Sequence, residues 1–280
     1  MTPLQIPTKD GVILSASHFS PKVPNGKLLL INSATGVKQG LYFNFAQYLS
    51  GLGFHVITYD YRGIGLSAPK NLKGYNASMR DWGRKDFDAV AKYLFKEWSE
   101  LSPYLLGHSV GALILGHSEE SKRFEKLVFV GTQEAFVGNL RLGTRVQGYL
   151  GFGLIEPIST SLLGYFPSNR LGLGERLPKG SSLDWKKLIL HKESTNALLD
   201  DKERSRSRSL NQETLVLSAL DDAWLTRKGV ASLLKNTYPS LKADSQFLHP
   251  SESPRKNIGH VNFFRSYNQN LWKKVSDFLL

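Results

Sequence analysis

Two hydrophobic periodicities alternate along this chain. Near the start, "LQIPT" and "VILSASHF" are strand-like runs on either side of Lys9-Asp10-Gly11. An Asp-Gly step between two such runs predicts an antiparallel hairpin. After the loop "SPKVPNG", the run "KLLLINS" is apolar without alternation, the pattern of a strand buried on both faces. "LYFNFAQYLSGLG" then spaces Phe45, Tyr48, Leu49 and Leu52 at helical intervals and ends on glycine. A second buried strand, "FHVITYD", leads into the turn "YRGIGLS".

The alternation continues with an amphipathic helix, "RDWGRKDFDAVAKYLFKEW", a short strand, "PYLLG", a helix over "VGALILGHSE" and another strand, "KLVFVGT". Strands alternating with helices predict an α/β protein, with a mostly parallel sheet, right-handed crossovers and helices on both faces. From about Gln133 to Ser205 the pattern breaks into segments rich in Gly, Leu and aromatics, such as "GYLGFGLIEP" and "LGLGERLPKG". The sheet pattern resumes with "ETLVLSAL", a helix around "RKGVASLLKNTY", a strand near "SQFLHP" and a last helix, "NLWKKVSDFLL". The expected organisation is a core over residues 1–133 and 206–280, interrupted by a mostly helical cap over 134–205.

Composition narrows the class. With 280 residues, 41% hydrophobic and 21% charged, the chain can bury a full core as one domain. No apolar run reaches the roughly 18 residues of a membrane span. "MTPLQIPTKDG" has neither a basic nor an apolar leader region, so a cytoplasmic protein is expected. The absence of cysteine excludes disulfides, thiolate metal sites and a cysteine nucleophile. No His/Asp/Glu grouping has metal-ligand spacing, and no metal or cofactor is expected.

The net charge of +12 admits nucleic acid, an anionic membrane surface or an acidic substrate as partners. It equally fits a soluble enzyme with a basic surface. The densest basic run, "KERSRSRSL", holds Lys202, Arg204, Arg206 and Arg208 without a nucleic-acid motif and reads as a solvated loop or helix face.

The chemistry centres on "LLGHSVGAL", where Gly107, Ser109 and Gly111 fit G-x-S-x-G. A chain of this length meets that pattern by chance about one time in ten, so its setting decides. A strand precedes Ser109 and a helix follows it, the strand-turn-helix context of a nucleophile elbow. Glycines at 107 and 111 let the strand and helix approach, and a helix start behind Ser109 favours developing negative charge. A serine hydroxyl needs a base, and the base needs an orienting acid. "LVLSALDDAWLT" offers Asp221 and Asp222 just after a late strand, and "NIGHVNFF" offers His260 in a late loop. Both order and placement match Ser, then acid, then His. His108 abuts Ser109, but neighbours at such an elbow point apart, so it reads as a packing or hydrogen-bonding residue. Asp60 and Arg62 read as braces for the loop beside the nucleophile.

With these segments in order, the chain resembles the α/β-hydrolase superfamily. Within it, the chain is similar to bacterial predicted α/β hydrolases of the lysophospholipase-like and S33 aminopeptidase-like group. The likeness is carried by "ATGVKQGLYFNFAQYL", "YDYRGIGLS", "RDWGRKDFDAV", "GHSVGA", "LGLGERLP", "LDDAW" and "IGHVNFFR". It implies a Ser-His-Asp triad of Ser109, His260 and Asp222, with Asp221 as the alternative acid. It also implies an oxyanion hole from the backbone N–H groups of Thr35 and Val110, although Ser33-Ala34 stand where relatives often have His-Gly.

The expected activity is therefore that of a serine esterase: a carboxylic-ester hydrolase working through an acyl-enzyme on small esters with an apolar acyl group. The Leu, Tyr and Phe content of the cap points to an apolar acyl pocket, and the basic surface to anionic lipid or substrate contact. Its rate should rise as His260 loses its proton, near a pH of about 6.5. Acyl transfer or amide and peptide hydrolysis would use the same residues. A non-catalytic basic binding protein on a hydrolase scaffold is the alternative from a different class.

Overall fold

The computed structural model describes all 280 residues. The hairpin forms from β1 (Thr2–Pro7) and β2 (Ile13–Phe19), paired antiparallel. Then come β3 (Lys27–Asn32), α1 (Phe43–Gly51) and β4 (His55–Tyr59). The next helix is continuous from α2 (Met79–Asp81) through a π-helical stretch, Trp82–Phe87, into α3 (Asp88–Glu97). β5 (Ser102–His108), α4 (Val110–Leu113) and β6 (Lys126–Val130) follow.

The segment after β6 holds α5 (Leu142–Leu150), a π-helical stretch at Gly151–Ile155, and α6 (Glu156–Leu163). A two-stranded pair, β7 (Tyr165–Phe166) and β8 (Leu177–Pro178), is followed by α7 (Lys179–Leu190) and α8 (Asp201–Ser209). The chain ends with β9 (Glu213–Ala219), α9 (Arg227–Asn236), β10 (Lys242–Leu248) and α10 (Gln269–Leu279).

Eight strands form one sheet in the order β1-β2-β4-β3-β5-β6-β9-β10, parallel from β4 to β10. This is the mostly parallel α/β sheet expected. Alternation along each inner strand explains why both faces are covered. On β3, Leu28 and Leu30 join one apolar cluster of 35 buried residues, while Leu29 and Ile31 join a second of 24. Leu105 and Leu106 on β5 divide in the same way, as do Leu127 and Val128 on β6. The first cluster takes Val90 and Leu94 from α3 and Val230 and Leu233 from α9. The second takes Phe45 and Leu49 from α1 and Leu271 and Trp272 from α10. Each such side chain contributes about 1.5–3 kcal/mol on burial.

One helix departs from expectation. "VGALILGHSE" predicts a helix of ten residues, but α4 stops after four and passes into 3₁₀ turns at Leu115–His117 and Glu119–Arg123. The 3₁₀ turn that follows packs closely on α8 at Gly116. A β-carbon there would fall 2.0 Å from the Ser207 hydroxyl.

Candidate active site

The carboxyl ends of β3, β5, β6 and β9 converge on one edge of the sheet, the edge where parallel α/β folds bind ligands. At the end of β5, Ser109 takes φ 52° and ψ −117°, a left-handed conformation that strains a residue with a side chain. Neighbouring backbone holds it there. The Ser109 N–H donates to the Val130 carbonyl at 2.9 Å, and its carbonyl accepts from the Thr132 hydroxyl at 3.0 Å. The two flanking glycines are required sterically. A β-carbon on Gly111 would sit 2.3 Å from the Asn32 carbonyl oxygen, and one on Gly107 would sit 2.6 Å from Ala112. Val110 is the first residue of α4, so its N–H has no acceptor within the helix.

The two late aspartates do different things. Asp222, 1% exposed, places Oδ2 2.6 Å from Nδ1 of His260 and accepts the Trp224 N–H at 2.8 Å. Asp221 does not hydrogen-bond the imidazole. It accepts the N–H groups of Ile258 and Gly259 at 2.9 and 3.0 Å, fixing the backbone just ahead of His260. Burial pulls the His260 pKa down, but the charge of Asp222 and the hydrogen bond to it together outweigh that and hold it above the ordinary 6.5. With Nδ1–H donated to Asp222, neutral His260 keeps Nε2 as a free acceptor. Ser109 and His260 line the same cavity without a hydrogen bond between their side chains.

His108 links the loops on either side of the nucleophile. Its Nε2 lies 2.8 Å from the His260 carbonyl, which only accepts, so Nε2 carries the proton. Nδ1 is then the acceptor for the Tyr42 hydroxyl, also at 2.8 Å. That hydroxyl in turn accepts the Ala34 N–H at 2.9 Å. Burial and the proximity of His260 push the His108 pKa down to about 3, so the ring is neutral in this network. The residue before Thr35 is thereby connected to the backbone of His260 through two fully buried side chains, Tyr42 and His108.

The cavity measures about 410 Å³ and is lined by Ser109, His260 and Thr35, with Leu113, Ala135, Trp185, Ile189 and Trp224 supplying apolar wall. Trp185 and Ile189 come from α7, and Leu173 comes from a strap at Gly172–Gly174. The strap rests on the loop after β3. The Glu175 N–H donates to the Gly36 carbonyl at 2.7 Å, and the Glu175 carboxylate pairs with Lys38 at 3.1 Å. Gly174, at φ 90°, has no room for a side chain, since its β-carbon would meet the Gly36 carbonyl at 2.5 Å. Residues 134–205 thus supply apolar wall through Ala135, Leu173, Trp185 and Ile189. Leu142, Tyr149, Leu150, Leu154 and Leu162 of the helical segment are exposed rather than turned into the cavity.

The remaining expected residues fall in other places. Asp60 braces the loop after β3 by accepting the Gln39 N–H at 2.8 Å, and also accepts the Leu66 N–H at 3.0 Å. Arg62 ties the hairpin turn to the helix beyond it, pairing with Asp10 at 2.7 Å and Asp86 at 2.6 Å. The basic run forms α8, where Arg206 pairs with Glu119, Arg204 with Glu193 at 3.2 Å, and Glu203 with Arg84 at 2.6 Å. His18 and His55 contact each other at 3.0 Å, and His117 contacts Glu203 at 3.0 Å. Sequence reading did not assign Tyr42, Thr132, Gln133, Trp185 or Trp224 to the site. Their placement depends on contacts between distant segments, and no local spacing signals it.

Residues 23–136 match the family model described as serine aminopeptidase, S33. No curated protein matches the chain significantly. Among solved structures, an esterase from Pyrococcus furiosus superposes with a TM-score of 0.64 at 15% identity, covering 99% of this chain and 90% of that one. An alpha-beta serine hydrolase homologue from Coxiella burnetii gives 0.58 at 13% identity, covering 100% and 97%. An α/β serine hydrolase without a lid from Xanthomonas campestris gives 0.55 at 13% identity, covering 99% and 92%. The chain has the α/β-hydrolase fold, and within it residues 23–136 are similar to the S33 serine aminopeptidase model.

Proposed function

We propose that the protein is a serine hydrolase that cleaves carboxylic esters of apolar acyl groups through a triad of Ser109, His260 and Asp222. The observation that carries this reading is the 2.6 Å contact of buried Asp222 with His260 beside a strained Ser109, with His260 and Ser109 both lining one largely apolar cavity. Ser109 Oγ attacks the ester carbonyl carbon while its proton passes to Nε2 of His260. Asp222 stabilises the resulting imidazolium and keeps the ring in the tautomer that accepts at Nε2. The carbonyl oxygen becomes an oxyanion, held by the N–H groups of Thr35 and Val110. Losing one such donor costs about 3–4 kcal/mol of transition-state stabilisation. Collapse of the tetrahedral intermediate breaks the ester C–O bond, and the departing alcohol takes the proton from His260. A water molecule, deprotonated in turn by His260, then hydrolyses the acyl-Ser109 ester and releases the acid.

In this reading residues 134–205 are the cap. Their strap at Gly172–Gly174 and the α7 residues Trp185 and Ile189 bound the acyl site. Steady-state hydrolysis of p-nitrophenyl esters of increasing acyl length tests the proposal. Turnover by the wild type that falls by about 10⁶-fold, or to background, in Ser109→Ala is the expected result. Turnover retained by Ser109→Ala overturns it.

A further inference from the structure

The helical stretch from Leu142 to Leu163 is built inside out. It is continuous for 22 residues through its central π-helical part, about 33 Å at the usual rise. The residues it turns toward the protein are Thr144, Gly148, Phe152, Glu156 and Thr160, each four positions after the last and mostly small or polar. Four residues slightly overshoot one α-helical turn, and the wider π turn in the middle offsets that drift, so the stripe stays on one side. Leu142, Val146, Leu150, Leu154, Ile158 and Leu162 point outward, with Leu142 74% and Leu162 76% exposed. Soluble proteins rarely leave a contiguous apolar face of this length uncovered.

Both charged groups in the stretch are withdrawn from that face. Arg145 donates to the carbonyls of Val137, Gly138 and Leu140 at 3.1–3.3 Å. Glu156 is fully buried, accepting the Ser182 hydroxyl at 2.8 Å. Cations without an acidic partner stand at the ends. Arg141 precedes the helix and is exposed, with a hydrogen bond to a backbone carbonyl. At the far end, the Lys73 side chain abuts Gly164, and Arg176 lies over the Tyr165 ring at 5.7 Å. The nearby carboxylate of Glu175 is engaged by Lys38.

We propose that the outward face of residues 142–163 docks on anionic lipid membranes, its leucine and isoleucine side chains entering the boundary between headgroups and acyl chains. An apolar helix face flanked by cations has the chemistry of an interfacial helix. A second copy fits less well, because a two-fold, antiparallel pairing would set Arg141 against the Lys73 and Arg176 of its partner. The surface is one residue from the cavity, since Phe152 packs edge-on against Trp185 at 5.0 Å and Trp185 lines the pocket. The proposal concerns binding and holds whether or not esters are the substrate.

The test is co-sedimentation of the full chain with vesicles of equal parts phosphatidylcholine and phosphatidylserine, and with vesicles of phosphatidylcholine alone. The wild type should pellet with the mixed vesicles, and Leu154→Glu combined with Ile158→Glu should weaken this by about tenfold or more. Lys73→Glu combined with Arg141→Glu should abolish the preference for phosphatidylserine. Both positions of the apolar pair are exposed, so an unchanged thermal midpoint checks that those variants fold. Wild type left in the supernatant overturns the proposal, as does a Leu154/Ile158 variant that pellets like the wild type. A concentration-dependent dimer in sedimentation velocity that these variants abolish, without vesicle binding, overturns it in favour of a second copy.

Discussion

Tyr42 and His108 share a 2.8 Å hydrogen bond that connects the loop after β3 to the loop carrying His260. Tyr42→Phe removes the donor to His108 Nδ1 and the acceptor of the Ala34 N–H at once. Leaving buried polar groups unpaired costs about 1–3 kcal/mol, so the urea midpoint should fall accordingly. Because the ring of His108 holds the backbone of His260, kcat should fall while labelling of Ser109 persists at a lower rate.

The two aspartates should separate in kinetics. Asp222→Asn leaves His260 without a charged partner and with a tautomer no longer enforced, and kcat/KM should drop by about 10⁴-fold. Asp221→Asn weakens the bonds to the Ile258 and Gly259 N–H groups and should lower stability by about 1–2 kcal/mol. Its effect on kcat/KM should be far smaller. Equal losses in the two variants would contradict the assignment of Asp222.

The pH profile follows from the direction of the His260 shift. Asp222 holds the folded-state pKa above 6.5, and a general base works only when neutral. The kcat/KM for an ester should therefore rise with pH through a midpoint above 6.5, higher than the ordinary imidazole value expected from sequence. In Asp222→Asn, burial remains as the main influence and the midpoint of the residual activity should move down. A profile flat between pH 5 and 8 would count against His260 as the base.

Gly111 tests the elbow. Its β-carbon would lie 2.3 Å from the Asn32 carbonyl oxygen, so Gly111→Ala must push α4 away from β3. Overpacking of this kind costs about 1–3 kcal/mol. Activity should fall further than stability does, because the same shift moves the Val110 N–H relative to Ser109. Thermal midpoints and ester kinetics measured on one preparation check both.

Much of the sheet was legible because its inner strands are buried on both faces and read as unbroken apolar runs, as "KLLLIN" does. The strand-turn-helix at Ser109 and the proximity of Asp222 to His260 were legible because chain order and flanking elements restrict them. Other features depend on contacts that local pattern does not carry. Tyr42 and His108 meet across 66 residues, and the turn after α4 packs on α8 at Gly116. The apolar content of residues 134–205 signalled an apolar pocket but not which side chains form it. Leu173, Trp185 and Ile189 line the cavity, whereas the leucines along residues 142–163 face outward, because composition does not say what covers an apolar face.

The central claim is that Ser109 is an activated nucleophile. Treating the folded protein with a fluorophosphonate probe and locating the adduct by mass spectrometry tests it most directly. A single adduct on Ser109, absent in Ser109→Ala and strongly slowed in His260→Ala, is the predicted result. Intact, folded wild type that takes no label on Ser109, or takes it equally with His260 removed, would contradict the account.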